Sequence, residues 1–313
     1  MKELNYDTVI LGGGPAGFSA GIYTARGSAK TAIVDINMLG GQPSNYLELE
    51  NYPGFSLISG YELMEKFEEH ADKFGIEKFP MQEIQKIDLI SDIKKIHTKD
   101  TIFNAKTVII ATGASPQKLN IKGEKEFFGR GVSYCAVCDG AFYKEKTVAV
   151  IGGGNSAIEE AIYLTRFADK VYIIHRRDKL RADKIIQERA FKNPKIEFVY
   201  DTIPLEIDGE NSVNSIKIKN VKTERTDILK VDGVFPYIGI TPNINFINGQ
   251  IQQDERGFIK TDEHLCTSVK GVYAVGDVRT TPLRQVITAA ADGAIAGVAA
   301  IKYLEETETK ILV

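Results

Sequence analysis

Val9-Ile10-Leu11-Gly12-Gly13-Gly14-Pro15-Ala16-Gly17 is an apolar run that breaks into glycines and resumes as a helix. A near copy, Val148-Ala149-Val150-Ile151-Gly152-Gly153-Gly154-Asn155-Ser156-Ala157, stands later in the same chain. Glycines spaced this way between a buried strand and a helix form the turn that cradles a pyrophosphate. The first permits the tight turn, the second lets backbone amides approach the anion, and the third position lets helix pack on strand. The helix N-terminus adds N–H donors and a partial positive charge. In the second copy Ala157 fills the third position, a change the pattern tolerates.

Outward from the first copy, Thr8 to Leu11 read as a short buried parallel strand, and Ala16 to Arg26 as a helix ended by Gly27. A strand follows at Thr31 to Val34 and is closed by Asp35. Residues 61–74 form a helix with Leu63, Phe67, Ala71 and Phe74 on one face. Strand-like pieces fill 84–110. The second copy sits in its own unit of strand Thr147 to Ile151, helix Asn155 to Phe167 and strand Val171 to Ile174. Beyond a crossing near Thr241-Pro242-Asn243, Gly271 to Asp277 read as another buried strand, and Gln285 to Leu304 as a closing helix. The expected fold is therefore α/β, with two Rossmann-like, three-layer ββα nucleotide-binding domains, the second inserted into the first. The first spans 1–116 and 246–313, and the second 117–245.

The 313 residues are 43% hydrophobic and 26% charged, enough apolar matter for two cores. A net charge of −3 offers no basic field, so nucleic acid and anionic membrane are not expected partners. No secretory apolar region precedes the first strand. The apolar stretch Val286 to Ile301 is interrupted by Asp292 and reads as too short and too polar to span a bilayer. A cytoplasmic address follows. Three cysteines make no disulfide framework, and Cys266 reads as a small buried or half-buried residue.

The ends of the second strands differ between the two copies. About 20 residues beyond the first glycines stands Asp35, a carboxylate that accepts ribose hydroxyls and repels phosphate. The matching position in the second copy is His175, followed by Arg176 and Arg177, with Arg181 one turn on. Guanidinium groups offer planar donors and charge to a 2′-phosphate. One duplicated fold is thus tuned to two ligands: an adenosine with a free 2′-hydroxyl, as in FAD, and NADPH. A solvated turn is the other reading of the arginine cluster.

Between the copies lies Cys135-Ala136-Val137-Cys138-Asp139-Gly140. As half of a zinc site it lacks a second half, because the four histidines are scattered and no metal ligand set stands out. A structural pair is a further possibility. A redox dithiol suits both the spacing and a reducing compartment. Asp139 then serves as a proton-exchanging group, or simply as an acid of the turn.

These segments, together with Ala111-Thr112-Gly113, His175-Arg176-Arg177-Asp178 and Gly276-Asp277, closely resemble the bacterial low-molecular-weight thioredoxin reductases over essentially the whole chain. That resemblance implies an NADPH-dependent flavoenzyme that reduces thioredoxin. It implies that Gly12, Gly14, Pro15, Ala16, Asp35, Gly41, Gln42, Asn51, Asp277, Arg284, Gln285 and Val286 hold FAD. Gly154, Asn155, Ser156, His175, Arg176, Arg177 and Arg181 would hold NADPH. Cys138 would face the flavin, Cys135 would attack the partner's disulfide, and Asp139 would exchange the proton. A homodimer is also implied.

The dithiol and the nicotinamide site belong to one inserted domain, and both must reach the flavin of the other. The crossings near 114–118 and 241–245 are therefore expected to act as a hinge pair. One departure from the family is Ala141, where many relatives carry the first of two aromatics; here Phe142-Tyr143 follow it. Relatives that take electrons from ferredoxin lose the nicotinamide motifs, which are intact here. Relatives dedicated to peroxide removal often carry an additional N-terminal domain, for which Met1 lies too close to the first strand.

Overall fold

A computed structural model describes residues 1–46 and 49–311. Strand β1 (Lys2–Leu11) is exposed where it begins and wholly buried where it ends, which places it at the centre of a sheet. It is longer than its apolar stretch, because its polar first half still finds backbone partners from Thr101 to Ala105. After β1 come α1 (Pro15–Arg26), β2 (Thr31–Val34), α2 (Gly60–Asp72) and β3 (Glu77–Phe79). Next are β4 (Lys86–Asp88), β5 (Lys94–His97) and β6 (Thr101–Ile110). Ser59 caps α2 by accepting from Glu62 N. That helix stops at Asp72, so Phe74 falls beyond the expected apolar face and is exposed.

The chain then crosses at β7 (Ala114–Pro116) into a second unit. This unit contains α3 (Ala136–Asp139), β8 (Thr147–Ile151), α4 (Asn155–Leu164), β9 (Lys170–Ile174), α5 (Lys184–Phe191) and β10 (Ile196–Val199). Then follow β11 (Thr202–Gly209), β12 (Val213–Asn220), β13 (Thr226–Lys230) and β14 (Gly233–Pro236). The chain returns through β15 (Ile240–Pro242) and ends with β16 (Val272–Ala274) and α6 (Val286–Ile311). The two compact units are 1–115 with 241–313, and 116–240.

In the first unit the sheet runs β3-β2-β1-β6-β5-β4, with β16 also on β6. Strands β3, β2, β1, β6 and β16 are parallel, while β5 and β4 form an antiparallel meander on the early half of β6. Alternation along β1 separates two cores. Ile10 packs with Phe18, Ile33, Ile109 and the helices; Val9 and Leu11 pack with Ile87, Leu89, Ile96 and Phe103 on the other face. Helix α6 lies tightly on α1, since a Cβ at Gly293 would overlap Ala16 O. Helix α6 is longer than the sequence pattern implied and, by length and composition alone, could cross a membrane. Its buried Ala296 and Ala300 join the helical core against α1.

The second unit repeats the plan with a parallel sheet ordered β10-β9-β8-β14. One face carries α3, α4 and α5 over Val148, Val150, Val171 and Phe235. The other is covered by the antiparallel sheet β11-β12-β13 through Ile207, Ile216 and Val234. Both halves are thus three-layer ββα folds, with each glycine turn at the carboxyl end of a central strand, where such sheets take ligands.

Candidate functional site: two glycine cradles and a dithiol segment

In the first unit Gly12 has φ +111°, and a Cβ there would overlap Ala111 O. Only glycine suits that turn. Gly14 differs. Its φ is −86°, and an added Cβ would meet nothing closer than Gly41 Cα at 3.9 Å. Neither conformation nor packing calls for glycine there, so the open space at the start of α1 is space the protein itself leaves unused. A second glycine loop closes over it. Gly40 N donates to Gly13 O at 2.8 Å, and a Cβ at Gly41, whose φ is +65°, would stand 3.1 Å from Gly14 Cα. Pro15 and Ala16 form the first helical positions, with no side chain capping the free N–H groups.

Asp35 lies at the mouth of this cradle. Its Oδ2 accepts from Gly13 N at 2.7 Å and its Oδ1 from Asn37 N at 2.8 Å. A carboxylate has about four acceptor sites, so lone pairs remain for hydroxyl donors. Gln42 Nε2 donates to Ala114 O at 3.5 Å, and Asn51 Nδ2 to Gln285 Oε1 at 3.0 Å. The second pair brings together two site residues far apart in sequence, just before Val286 opens α6.

Arg284 stands beside them with its guanidinium 4.3 Å from the Phe258 ring centroid. Its Nε and Nη2 are buried without a partner among the described residues. Unmet buried donors cost about 1–3 kcal/mol, so an acceptor belongs there. Burial raises the Asp277 carboxyl above its usual range against the pull of Arg284. Open room, uncapped amides, a ribose-suited carboxylate and orphaned guanidinium donors together fit a dinucleotide.

Two supporting residues escaped the sequence reading. Asp292 accepts from Gly276 N at 2.9 Å and from Arg279 at 2.8 and 3.1 Å, fixing the loop that carries Asp277. Its signal was a lone acid in the apolar stretch of α6. Asn243 donates to Thr112 O and accepts from Thr112 Oγ1 and Ser115 Oγ, binding the two crossings where β7 pairs with β15.

In the second unit Gly154 is the counterpart of Gly14. Its φ is −94° and an added Cβ would meet nothing within 4 Å. Asn155 and Asp183 bond reciprocally, each contact 2.8 Å, which ties the start of α4 to the start of α5. Ser156 is exposed on the first turn of α4. His175 is 4% exposed, and its ring packs on Gly153, where a Cβ would lie 2.5 Å from Nδ1. Burial, and then Arg181, Arg177 and Arg176, lower its pKa against the pull of Lys179 O, so the ring is neutral at pH 7. It is a wedge beneath the loop, whereas Arg176, Arg177 and Arg181 project from it exposed. Arg181 N donates to Gly153 O at 2.6 Å, drawing that guanidinium's backbone onto the glycine turn. No carboxylate pairs with these three arginines among the described residues. An unneutralised cationic cluster beside an open glycine cradle fits a second dinucleotide carrying an extra phosphate.

The dithiol segment follows Ser133, whose Oγ accepts from Cys135 N at 3.1 Å. Cys135 is disulfide-bonded, and Ala136 N donates to Tyr237 Oη at 3.0 Å. The side chain of Cys138 lies outside the described residues. Asp139 is half-buried at the end of α3, and its charge, after burial, helps push Tyr143 up to about 12. Cys266 is a free, half-buried thiol held above its usual range by burial and then Asp262, which favours its un-ionised form. No cluster of metal ligands occurs among the described residues.

The family model for pyridine nucleotide-disulphide oxidoreductases matches residues 6–293, and this chain belongs to that family. Thioredoxin reductase of Listeria innocua is 45% identical over 97% of this chain and 96% of its own length. That of Bacillus subtilis is 44% identical over 98% and 97%. The crystal structure of Lactococcus lactis thioredoxin reductase in its FR conformation superposes with a TM-score of 0.93 at 48% identity, covering 96% of this chain and 99% of that one.

Proposed function

We propose that this chain is a thioredoxin-disulfide reductase, carrying reducing equivalents from NADPH through FAD to the Cys135/Cys138 pair and then to oxidised thioredoxin. The observation that carries this reading is the pair of open glycine cradles, one beside a carboxylate and one beside unpaired arginines, in a chain whose only x-x-spaced cysteines lie between them. When bound, FAD and NADPH supply the hydride relay that delivers two electrons to the disulfide.

The first cradle, with Gly12, Gly14, Pro15, Ala16, Asp35, Gly41, Gln42 and Asn51, holds FAD, and Asp277, Arg284, Gln285 and Val286 complete its site. Gly154, Asn155, Ser156, Arg176, Arg177 and Arg181 hold NADPH on the loop that His175 props. The Cys135 thiolate attacks the client disulfide to form a mixed disulfide. Cys138 then displaces the client thiolate and closes the Cys135–Cys138 bond, so one disulfide is made as one is reduced. Asp139 holds or returns the accompanying proton. The unit of residues 1–115 and 241–313 binds FAD, and the unit of residues 116–240 binds NADPH and carries the dithiol. The crossings stitched by Asn243 form the hinge about which the two reorient between half-reactions.

The chain acts in the cytoplasm as a homodimer, with neither nucleic acid nor membrane as partner. Exposed Leu283, Ile287, Ile295 and Val298 at and along α6 offer an apolar surface for a second copy. Steady-state oxidation of NADPH that depends on added oxidised thioredoxin tests the reading. Oxidation that ignores thioredoxin would refute it.

A further inference from the structure

An aromatic pair, one ring exposed and the other half-buried, stands just before the dithiol. Phe128 is 63% exposed, and its ring lies 5.9 Å from that of Tyr134, the residue bonded directly to Cys135. Large aromatic rings left in water are costly, and paired ones beside a reactive group mark a place where something else covers them.

Tyr134 and the backbone that carries Phe128 are held in place. Tyr134 Oη donates to Glu124 Oε1 at 2.6 Å, and buried Glu124 also accepts from Leu119 N and Asn120 N, each at 2.7 Å. The turn beneath Phe128 closes through Gly129 N to Val132 O at 3.0 Å and Val132 N to Phe127 O at 2.9 Å. Ser133 N donates to Val234 O, tying the segment to β14. Rings fixed before contact lose little entropy on binding, which is what makes aromatic anchors effective.

The occupant follows from covalent geometry. A client disulfide exchanging with Cys135 must bring its sulfur to within a bond length, about 2 Å. The Cα atoms of Tyr134 and Cys135 are about 3.8 Å apart. A standard protein interface covers about 800 Å² per partner, a patch of roughly 16 Å radius. A protein seated on Cys135 therefore also covers Tyr134 and the Phe128 ring packed against it. We infer that the Phe128–Tyr134 face is a docking platform for the disulfide-bearing protein substrate, setting its affinity and taking no part in the chemistry. This rests on the function proposed above.

The test is steady-state kinetics of the holoenzyme with an oxidised bacterial thioredoxin and, separately, with the small disulfide 5,5′-dithiobis(2-nitrobenzoate). Phe128→Ser should raise KM for thioredoxin by about 10-fold or more, the usual loss at an aromatic anchor. Its kcat, its small-disulfide turnover and its flavin reduction by NADPH should stay within about 2-fold of the parent, as expected for an exposed surface change. Phe128→Tyr, which keeps the ring, should restore KM. An unchanged KM in Phe128→Ser overturns the inference. So does an equal loss with the small disulfide, or a change of oligomeric state by light scattering that would give this face to a second copy. A parent enzyme that fails to reduce thioredoxin at all would instead overturn the underlying function.

Discussion

Replacing Gly154 by alanine separates ligand space from fold. The residue has ordinary backbone angles and no protein atom within 4 Å of the added methyl. Restricting the unfolded chain stabilises by about 0.4–1 kcal/mol. Losing glycine at the N-cap of α4 costs a similar few tenths to about 1 kcal/mol. The two offset, so the melting temperature should move by no more than roughly 4 °C. The methyl, however, occupies the space in front of the α4 amides. Hydrogen bonds from those amides to a charged group contribute about 1.5–3 kcal/mol each. Losing one should raise KM for NADPH roughly 10- to 100-fold. Scanning calorimetry and steady-state kinetics on the same preparation check both halves. A normal KM would mean that the open space at Gly154 is not where the nucleotide sits. A large fall in stability would mean that the backbone there is not as described. Gly152→Ala is the contrast: with φ +151° and the Tyr237 carbonyl in the way, it should damage the fold itself.

Arg176→Ala combined with Arg177→Ala should raise KM for NADPH by about 10-fold or more and leave that for NADH nearly unchanged, since only the 2′-phosphate loses its charge partners; equal effects on both would refute that role. Cys135→Ser should preserve flavin reduction by NADPH and abolish thioredoxin turnover, and retained turnover would reassign the attacking sulfur. Burial, and then Glu159, raise the Glu160 carboxyl from 4.5 to about 7. The unfolded chain therefore ionises first as pH rises, and stability drains away between about 4.5 and 7 by up to about 3 kcal/mol. Glu160→Gln should then be more stable than the parent in urea at pH 8 and lose that advantage near pH 4.5; a pH-independent difference would contradict the assignment.

Much of this was legible in the sequence because glycine turns and apolar strands are local. The contrast between Asp35 and Arg176-Arg177 needed only the strand ends to be read correctly. What the sequence could not display were meetings of distant residues. Asp292 looked like an interruption of an apolar helix, yet it anchors the Gly276 loop through Arg279. Asn243 looked like a linker residue, yet it ties the two crossings together. His175 read, by resemblance, as a nucleotide-binding residue alongside the arginines, and the burial of its ring against Gly153 was not visible in the sequence. The length of α6 was underestimated because its last turns are polar and carry no apolar periodicity. One face of it packs on α1 through Gly293 and Gly297.

The most direct measurement is the visible absorption of the purified protein, followed without oxygen while NADPH and then oxidised thioredoxin are added. A bound yellow flavin should bleach with NADPH and regain its colour as thioredoxin is reduced. A protein that holds no flavin, or whose bleached flavin thioredoxin cannot restore, would contradict the proposed function.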